Sequence, residues 1–498
     1  MRLPLELLVA LLLAKFFQEG HFNRHASIWL ILPCAAAMIG SCWLLPRLAW
    51  LIARRGLIRT GAPFLAFYEA HARLMTYARI LSVALYALFL LVTGWAALVV
   101  DQRGLDAGRW VIGDDVLQLL PFVLAAMAMW IADYPAVRGL HPADWGLGEY
   151  LRNQVRGWLF LLAPWLAMTA VFDSQPYWPW GLNDLFATSL TAQAALTVLI
   201  FAAVLVLFPA YLVRLWPSER LPDGEIRARL EALLERARVR CRELVVWNTG
   251  RGRLPNAAVM GMVARLRYVA FTDALLAELP PEEIEAVLAH EAGHVRHHHI
   301  AFYAIFAAGF PVGILAAGWL LIKSFGLEFL DSFSGQIVAA AVMVALVVLH
   351  WRYAFGFVSR CFERQADAAA CEVLGSGVPL ASALERLALA AGAPREASSW
   401  RHHSIAERVD FLARAAADPL VLARHHRRVR TVKAALALIF LAAVGLILAA
   451  LLGQGPAAGS EPGPRPEPGH PSVATRPAPD NMVSCRTPPA IRNEGNLP

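Results

Sequence analysis

Two histidines four residues apart, with a glutamate directly after the first, are the residues of this chain best suited to chemistry: His290-Glu291-Ala292-Gly293-His294. On a helix of 3.6 residues per turn, positions i and i+4 share a face one turn apart. Both imidazoles can then ligate one zinc ion (Zn2+) while Glu291 addresses its bound water, the arrangement a zinc peptidase needs. The competing reading is a pair of solvated histidines on a helix, and residues further along the chain weigh against it.

A catalytic zinc site takes three protein ligands and leaves a fourth position to water. The candidate third ligand lies in Ser359-Arg360-Cys361-Phe362-Glu363-Arg364-Gln365-Ala366-Asp367. Glu363 and Asp367 are again four apart. One carboxylate can bind the metal while the other accepts a hydrogen bond, for instance from a ligand imidazole. The spacing alone fits a solvated acidic helix face equally well. His297, His298 and His299 do not extend the set, because His297 stands about 10 Å along a continuous helix from His290. They read as interfacial or loosely metal-binding residues at the mouth of the next span. The six cysteines, at 34, 42, 241, 361, 371 and 485, form no paired framework, and Cys361 reads as buried packing.

Rigid elements must hold such a pair, and composition says where they stand. The chain is 58% hydrophobic and 17% charged, with a mean hydropathy of +0.50, far more apolar than soluble domains, which average about half apolar. It reads as an integral membrane protein whose main partner is the lipid bilayer. Windows at 28–53, 80–100, 116–132, 157–172, 192–213, 301–322, 337–357 and 434–452 approach or reach the roughly 20 apolar residues a bilayer crossing takes. Residues 3–17 are a shorter candidate, a first span or an uncleaved signal-like segment, with Lys15, Phe16 and Phe17 as an interfacial anchor.

A net charge of +7 raises the question of nucleic acid. The basic residues, however, are nearly all arginine and crowd beside the spans, with no stacking or groove-reading motif, so no nucleic-acid partner is expected. Arg54, Arg55, Arg59, Arg73 and Arg79 place the first connection inside, and Asp101, Asp106, Asp114 and Asp115 place the second outside. Continuing the alternation puts the arginine-rich segment that holds the His-Glu pair in the cytoplasm. The expected location is a bacterial inner membrane with a cytoplasmic active site.

The chain therefore divides into a multi-span region at 1–215, a first peptidase part with the zinc helix at 216–300, two spans at 301–358, a second part with the third ligand at 359–432, a last span at 433–453, and a Pro-rich, disordered tail at 454–498. Within the first part, a turn at Leu221-Pro222-Asp223-Gly224 opens an amphipathic helix through Arg238. Runs at 243–249, 257–260 and 268–272 predict a small sheet. Pro280-Pro281-Glu282-Glu283 starts the metal helix, which is expected to continue toward the following span.

Four blocks resemble the membrane zinc metallopeptidases that include HtpX and the CaaX prenyl endopeptidase: Pro255-Asn256-Ala257 with Gly261, the His290 to His294 block, Glu363 with Asp367, and His402-His403-Ser404 followed by Glu407-Arg408. The resemblance covers about residues 221–412 and includes the two-span insertion. It implies a mainly α architecture, a polytopic membrane helix bundle with a cytoplasmic gluzincin-like zinc peptidase domain containing a small β-sheet. It also implies that His290, His294 and Glu363 bind zinc, that Glu291 is the general base and that Asp367 supports the site. Where the family has His-Pro before Ser or Thr, this chain has His402-His403.

On this reading the substrate is a polypeptide. His402 is the first candidate donor to charge developing on the carbonyl oxygen and Arg408 the second, an internal salt bridge fitting Arg408 equally. Asn256 precedes an expected edge strand and would help hold the substrate, although a turn asparagine explains it as well. The favoured function is a zinc-dependent membrane endopeptidase acting on membrane-associated or misfolded proteins at the cytoplasmic face. The alternatives are CaaX-type prenyl-protein processing and a transporter or receptor with a structural zinc site, which would not require Glu291. An intramembrane protease of the site-2 type would bury the motif in an apolar span, and Glu282, Glu283, Glu285 and Arg296 argue against that.

Overall fold

The computed structural model describes residues 5–19, 28–60, 64–100, 110–138, 146–249, 255–391, 394–396, 402–418 and 420–453. The chain divides into two compact units, Met1–Val444 and Gly445–Pro498, and the elements around the His-Glu pair belong to the first. The expected disordered tail, Cys485, part of the acidic second connection at 101–109 and the residues at 250–254 between two of the expected strands lie outside the described residues.

Among the described residues, eight helices are long and apolar enough to cross a membrane, and each overlaps one of the expected windows. The first five are formed by α2 (Ile28–Thr60), α3 (Phe64–Thr93), α5 (Gly113–Arg138), α6 (Leu147–Ser174) with the turn that follows it to Tyr177, and α8 (Leu190–Leu215), with short α4 (Trp95–Val100) and α7 (Leu182–Thr188) between them. The shorter candidate at 3–17 overlaps helix α1 (Leu5–Glu19). Its Leu7, Ala10, Leu11 and Ala14 are buried against the bundle, and the Lys15 Nζ lies 2.8 Å from Asp114 Oδ2 and 2.8 Å from Asp115 Oδ1. A lysine drawn into an apolar bundle needs a carboxylate, and α5 supplies two.

Beyond α8 the chain leaves its apolar pattern and builds a sheet from β1 (Ser218–Arg220), β2 (Glu243–Trp247), β3 (Ala257–Met260) and β4 (Tyr268–Thr272), in the order β1-β2-β4-β3. β2 and β4 pair in parallel, the outer pairs are antiparallel, and β3 is an edge strand as expected. Gly261 ends β3 at φ +108, and a Cβ there would stand 2.8 Å from the Leu266 carbonyl oxygen, so the turn admits only glycine.

Over this sheet pack α9 (Glu225–Arg236), α10 (Asp273–Glu278) and the metal helix α11 (Pro281–Arg296). Buried Ile284, Ala286, Leu288, Ala289 and Ala292 of α11 share one core with Leu230 and Leu233 of α9 and with Leu244, Val269 and Phe271 of the sheet. α12 (His299–Phe325) leads away and, after α13 (Leu327–Asp331), α14 (Phe333–Val347) returns. A π-helical stretch at Val348–Ala354 then joins α15 (Phe355–Leu374). α16 (Val378–Ala391), α17 (Ile405–Ala417) and α18 (Leu420–Gly453) follow.

Candidate active site

The metal helix begins where the sequence says it should, with Pro281 in its first turn and Glu282 and Glu283 beside the helix N-terminus. Glu283 is buried and accepts hydrogen bonds from Ser382 Oγ at 2.6 Å and Arg386 Nε at 2.9 Å, which clamps α16 to α11. The helix does not run on into the next span. It ends at Arg296, and His298 takes a left-handed conformation at φ 55 before α12 starts at His299. No apolar periodicity marks that break.

α15 crosses α11 at Gly293, where an added Cβ would stand 3.0 Å from the Ala366 Cα and 3.0 Å from the Ala369 Cβ. Glycine on one helix and alanines on the other let the two backbones approach closely, and this brings Glu363 over the histidines. The His290 and His294 Nε2 atoms are 3.3 Å apart. Glu363 Oε2 lies 3.6 Å from the first and Oε1 lies 3.7 Å from the second. A tetrahedral ion with bonds of about 2.0–2.1 Å sets its ligand atoms about 3.3–3.4 Å apart. Two imidazoles and a carboxylate at these separations therefore fit one divalent ion, with a coordination position left over.

Asp367, one turn beyond Glu363, accepts from His290 Nδ1 at 2.9 Å. It is itself gripped by Arg408, with Nε 3.0 Å from Oδ2 and Nη2 2.6 Å from Oδ1. Arg408 is aimed by the start of α17, where Ser404 and Glu407 form a capping box. The block ending in Glu407-Arg408 thus encodes a helix start followed by a fork that reaches back to Asp367. His402 enters from the same segment, its Nδ1 3.3 Å from Glu363 Oε2.

Burial and these neighbours separate the two histidines. Burial would lower the His290 pKa, but the hydrogen bond and charge of Asp367 outweigh it and hold it above its ordinary value. Burial, then the nearby His290, push His294 down to about 4. Burial also raises the Glu291 carboxyl, although the Val259 N–H donates to its Oε2 at 2.9 Å. Desolvation works against the Arg408 charge, yet Asp367 keeps its pKa above the usual arginine value.

Asn256, His290, Glu291, His294, Glu363, His402 and Arg408 all line one cavity of about 450 Å³, with Leu275, Val287, Leu380, Leu384 and Leu387 forming an apolar wall. β3 borders it. The Thr272 N–H donates to the Asn256 carbonyl at 2.9 Å, so the backbone groups of Ala258 and Met260 also face β4, while those of Ala257 and Val259 face away from it, toward the cavity. Sequence reasoning missed one residue of this neighbourhood, His299. It is fully buried, and its Nδ1 lies 2.9 Å from His294 Nδ1.

Comparison with known proteins gives consistent likenesses. Residues 220–435 match the model of peptidase family M48. A protease HtpX homolog of Aeropyrum pernix is 32% identical over 224 residues, covering 42% of this chain and 67% of that protein. A CAAX prenyl protease 1 homolog of Arabidopsis thaliana is 28% identical over 253 residues, 48% of this chain and 56% of that protein. The crystal structure of S. mikatae Ste24p shares the fold at a TM-score of 0.50 and 19% identity, covering 77% of this chain and 98% of that one.

Proposed function

The chain belongs to peptidase family M48 and is an integral membrane metalloprotease; from that premise we propose that its ion is zinc, held by His290, His294 and Glu363, and that it cleaves peptide bonds of membrane-associated or misfolded proteins at the cytoplasmic face. The observation that carries the reading is the convergence of two imidazole Nε2 atoms and the two Glu363 carboxylate oxygens at separations of 3.3 to 3.7 Å, with Glu291 beside them in the same cavity. When bound, zinc lowers the pKa of a water toward neutrality and polarises the peptide carbonyl.

The remaining work falls to side chains. Glu291, kept receptive to a proton by burial, removes one from the water and delivers it to the leaving amine. His402, beside Glu363, is the donor to the charge that grows on the carbonyl oxygen. Both Nε and Nη2 of Arg408 are engaged with Asp367, which favours the salt-bridge reading of that residue over a direct part in the reaction. An extended substrate adds to β3 through the outward backbone groups of Ala257 and the carbonyl of Val259, whose N–H is held by Glu291, with Asn256 at its end. The apolar wall from α16 then takes an apolar side chain.

Purified in detergent, the wild-type protein is expected to hold one zinc per chain and to cleave unfolded casein until a chelator removes the metal. Glu363→Ala should lose both. A protein without zinc, or cleavage indifferent to chelation, would overturn the reading.

A further inference from the structure

Each ligand histidine must present Nε2 to the ion, which leaves Nδ1 as an N–H that needs an acceptor. For His290 that acceptor is Asp367. For His294 it is another histidine, on the far side of a helix break. We propose that His299 is the positioning residue for His294, and that it works as the first link of a hydrogen-bonded chain, His294–His299–Gln365–His426–Glu372, which ties the metal site to the last membrane helix. This rests on the metallopeptidase reading above.

The geometry admits one direction of donation throughout. With His294 ligating through Nε2, its Nδ1–H donates to His299 Nδ1 across 2.9 Å. His299, its other nitrogen now protonated, donates from Nε2 to Gln365 Oε1 at 2.9 Å. The Gln365 amide nitrogen donates to His426 Nδ1 at 2.9 Å, and His426 Nε2 donates to Glu372 Oε1 at 3.1 Å. A carboxylate only accepts, so the far end agrees with the near one. Lys433 Nζ stands 3.1 Å from Gln365 Oε1 and fixes the amide with its oxygen toward His299.

Each imidazole of this series is used at both nitrogens, His294 at the ion and at His299, His299 at His294 and Gln365, and His426 at Gln365 and Glu372. The His299 ring also cannot turn freely. It stacks on Phe362 with centroids 4.3 Å apart and planes 5° from parallel. A continuous helix would carry residue 299 away from residue 294, whereas the break at His297 and His298 folds it back over that ring. The links come from α11, α12, α15 and α18, so the orientation of one ligand depends on how three further helices pack.

The test is zinc affinity, measured by chelator competition on the full-length protein in detergent, with the absorption spectrum of the cobalt-substituted form and thermal unfolding of the metal-free form. His299→Leu keeps bulk but removes the acceptor and should weaken zinc about 10- to 100-fold, as loss of an outer partner of a ligand does, with an altered cobalt spectrum. His299→Asn places a carbonyl oxygen where Nδ1 stood and should recover most of that loss. Gln365→Leu cuts the chain one link further out and should give a smaller loss of about 3- to 10-fold. Affinity within twofold of wild type in either leucine variant, or no better affinity in His299→Asn than in His299→Leu, overturns the proposal. If His299→Leu does not fold, Gln365→Leu and His299→Asn decide. Wild-type protein without zinc would instead sink the function itself.

Discussion

His290 and His294 are the same residue type in the same helix, yet the protein treats them differently. Asp367 holds the first histidine's pKa above its ordinary value, while burial keeps the second neutral down to about 4. Zinc can bind only neutral imidazole, so over mildly acidic pH one proton, from His290, competes with the metal. Zinc affinity should therefore fall about tenfold per pH unit below the His290 pKa and level off above it, and Asp367→Asn should move the levelling point to lower pH. A flat profile between pH 5 and 7 would contradict this. In the metal-free protein the sign is reversed: a raised histidine pKa stabilises the fold below the unfolded-state value near 6.5, and that contribution is lost as pH rises through the folded value. At this scale the sequence was informative where spacing was local, as with the two histidines and the pair Glu363 and Asp367. It put His299 with the interfacial residues at the mouth of the next span, because counting along an unbroken helix set the run from His297 to His299 apart from the ion.

The elements explain both outcomes. The spans and three of the four strands follow from apolar runs and β-branched stretches, which are physical requirements of lipid and sheet. β1 was missed since Ser218, Glu219 and Arg220 carry no apolar pattern, and their pairing with Val245 to Trp247 leaves no mark in the sequence. The break after α11 was missed because His297 to His299 offer neither Gly nor Pro. Close approach of α11 and α15 depends on Gly293, which the motif alone shows merely as a spacer. Gly293→Ala would press a methyl against the Ala366 and Ala369 atoms at 3.0 Å. It should destabilise the fold by about 1–3 kcal/mol, the usual cost of overpacking, and weaken zinc by moving Glu363 off the histidines. Unfolding temperature and zinc affinity both unchanged would show that the helices do not meet there.

In the whole molecule the helices of the candidate site are separated along the chain by two candidate membrane spans. The metal helix reaches the membrane through a sharp break, whereas the third-ligand helix continues from the returning span through the π-helical stretch at Val348–Ala354. Arginine placement predicts that this site faces the cytoplasm. A cysteine at Trp180, which is 91% exposed, should react with an impermeant maleimide applied outside intact cells, and one at Glu225, whose side chain is 87% exposed, only after the membrane is opened. The reverse pattern would move the active site to the outer face. On the proposed mechanism Glu291 performs the chemistry at a zinc ion it does not bind. The most direct measurement is zinc content and casein cleavage of Glu291→Gln beside wild type. One zinc per chain should be retained while cleavage drops by about 10²- to 10⁴-fold; undiminished cleavage would rule Glu291 out as the base.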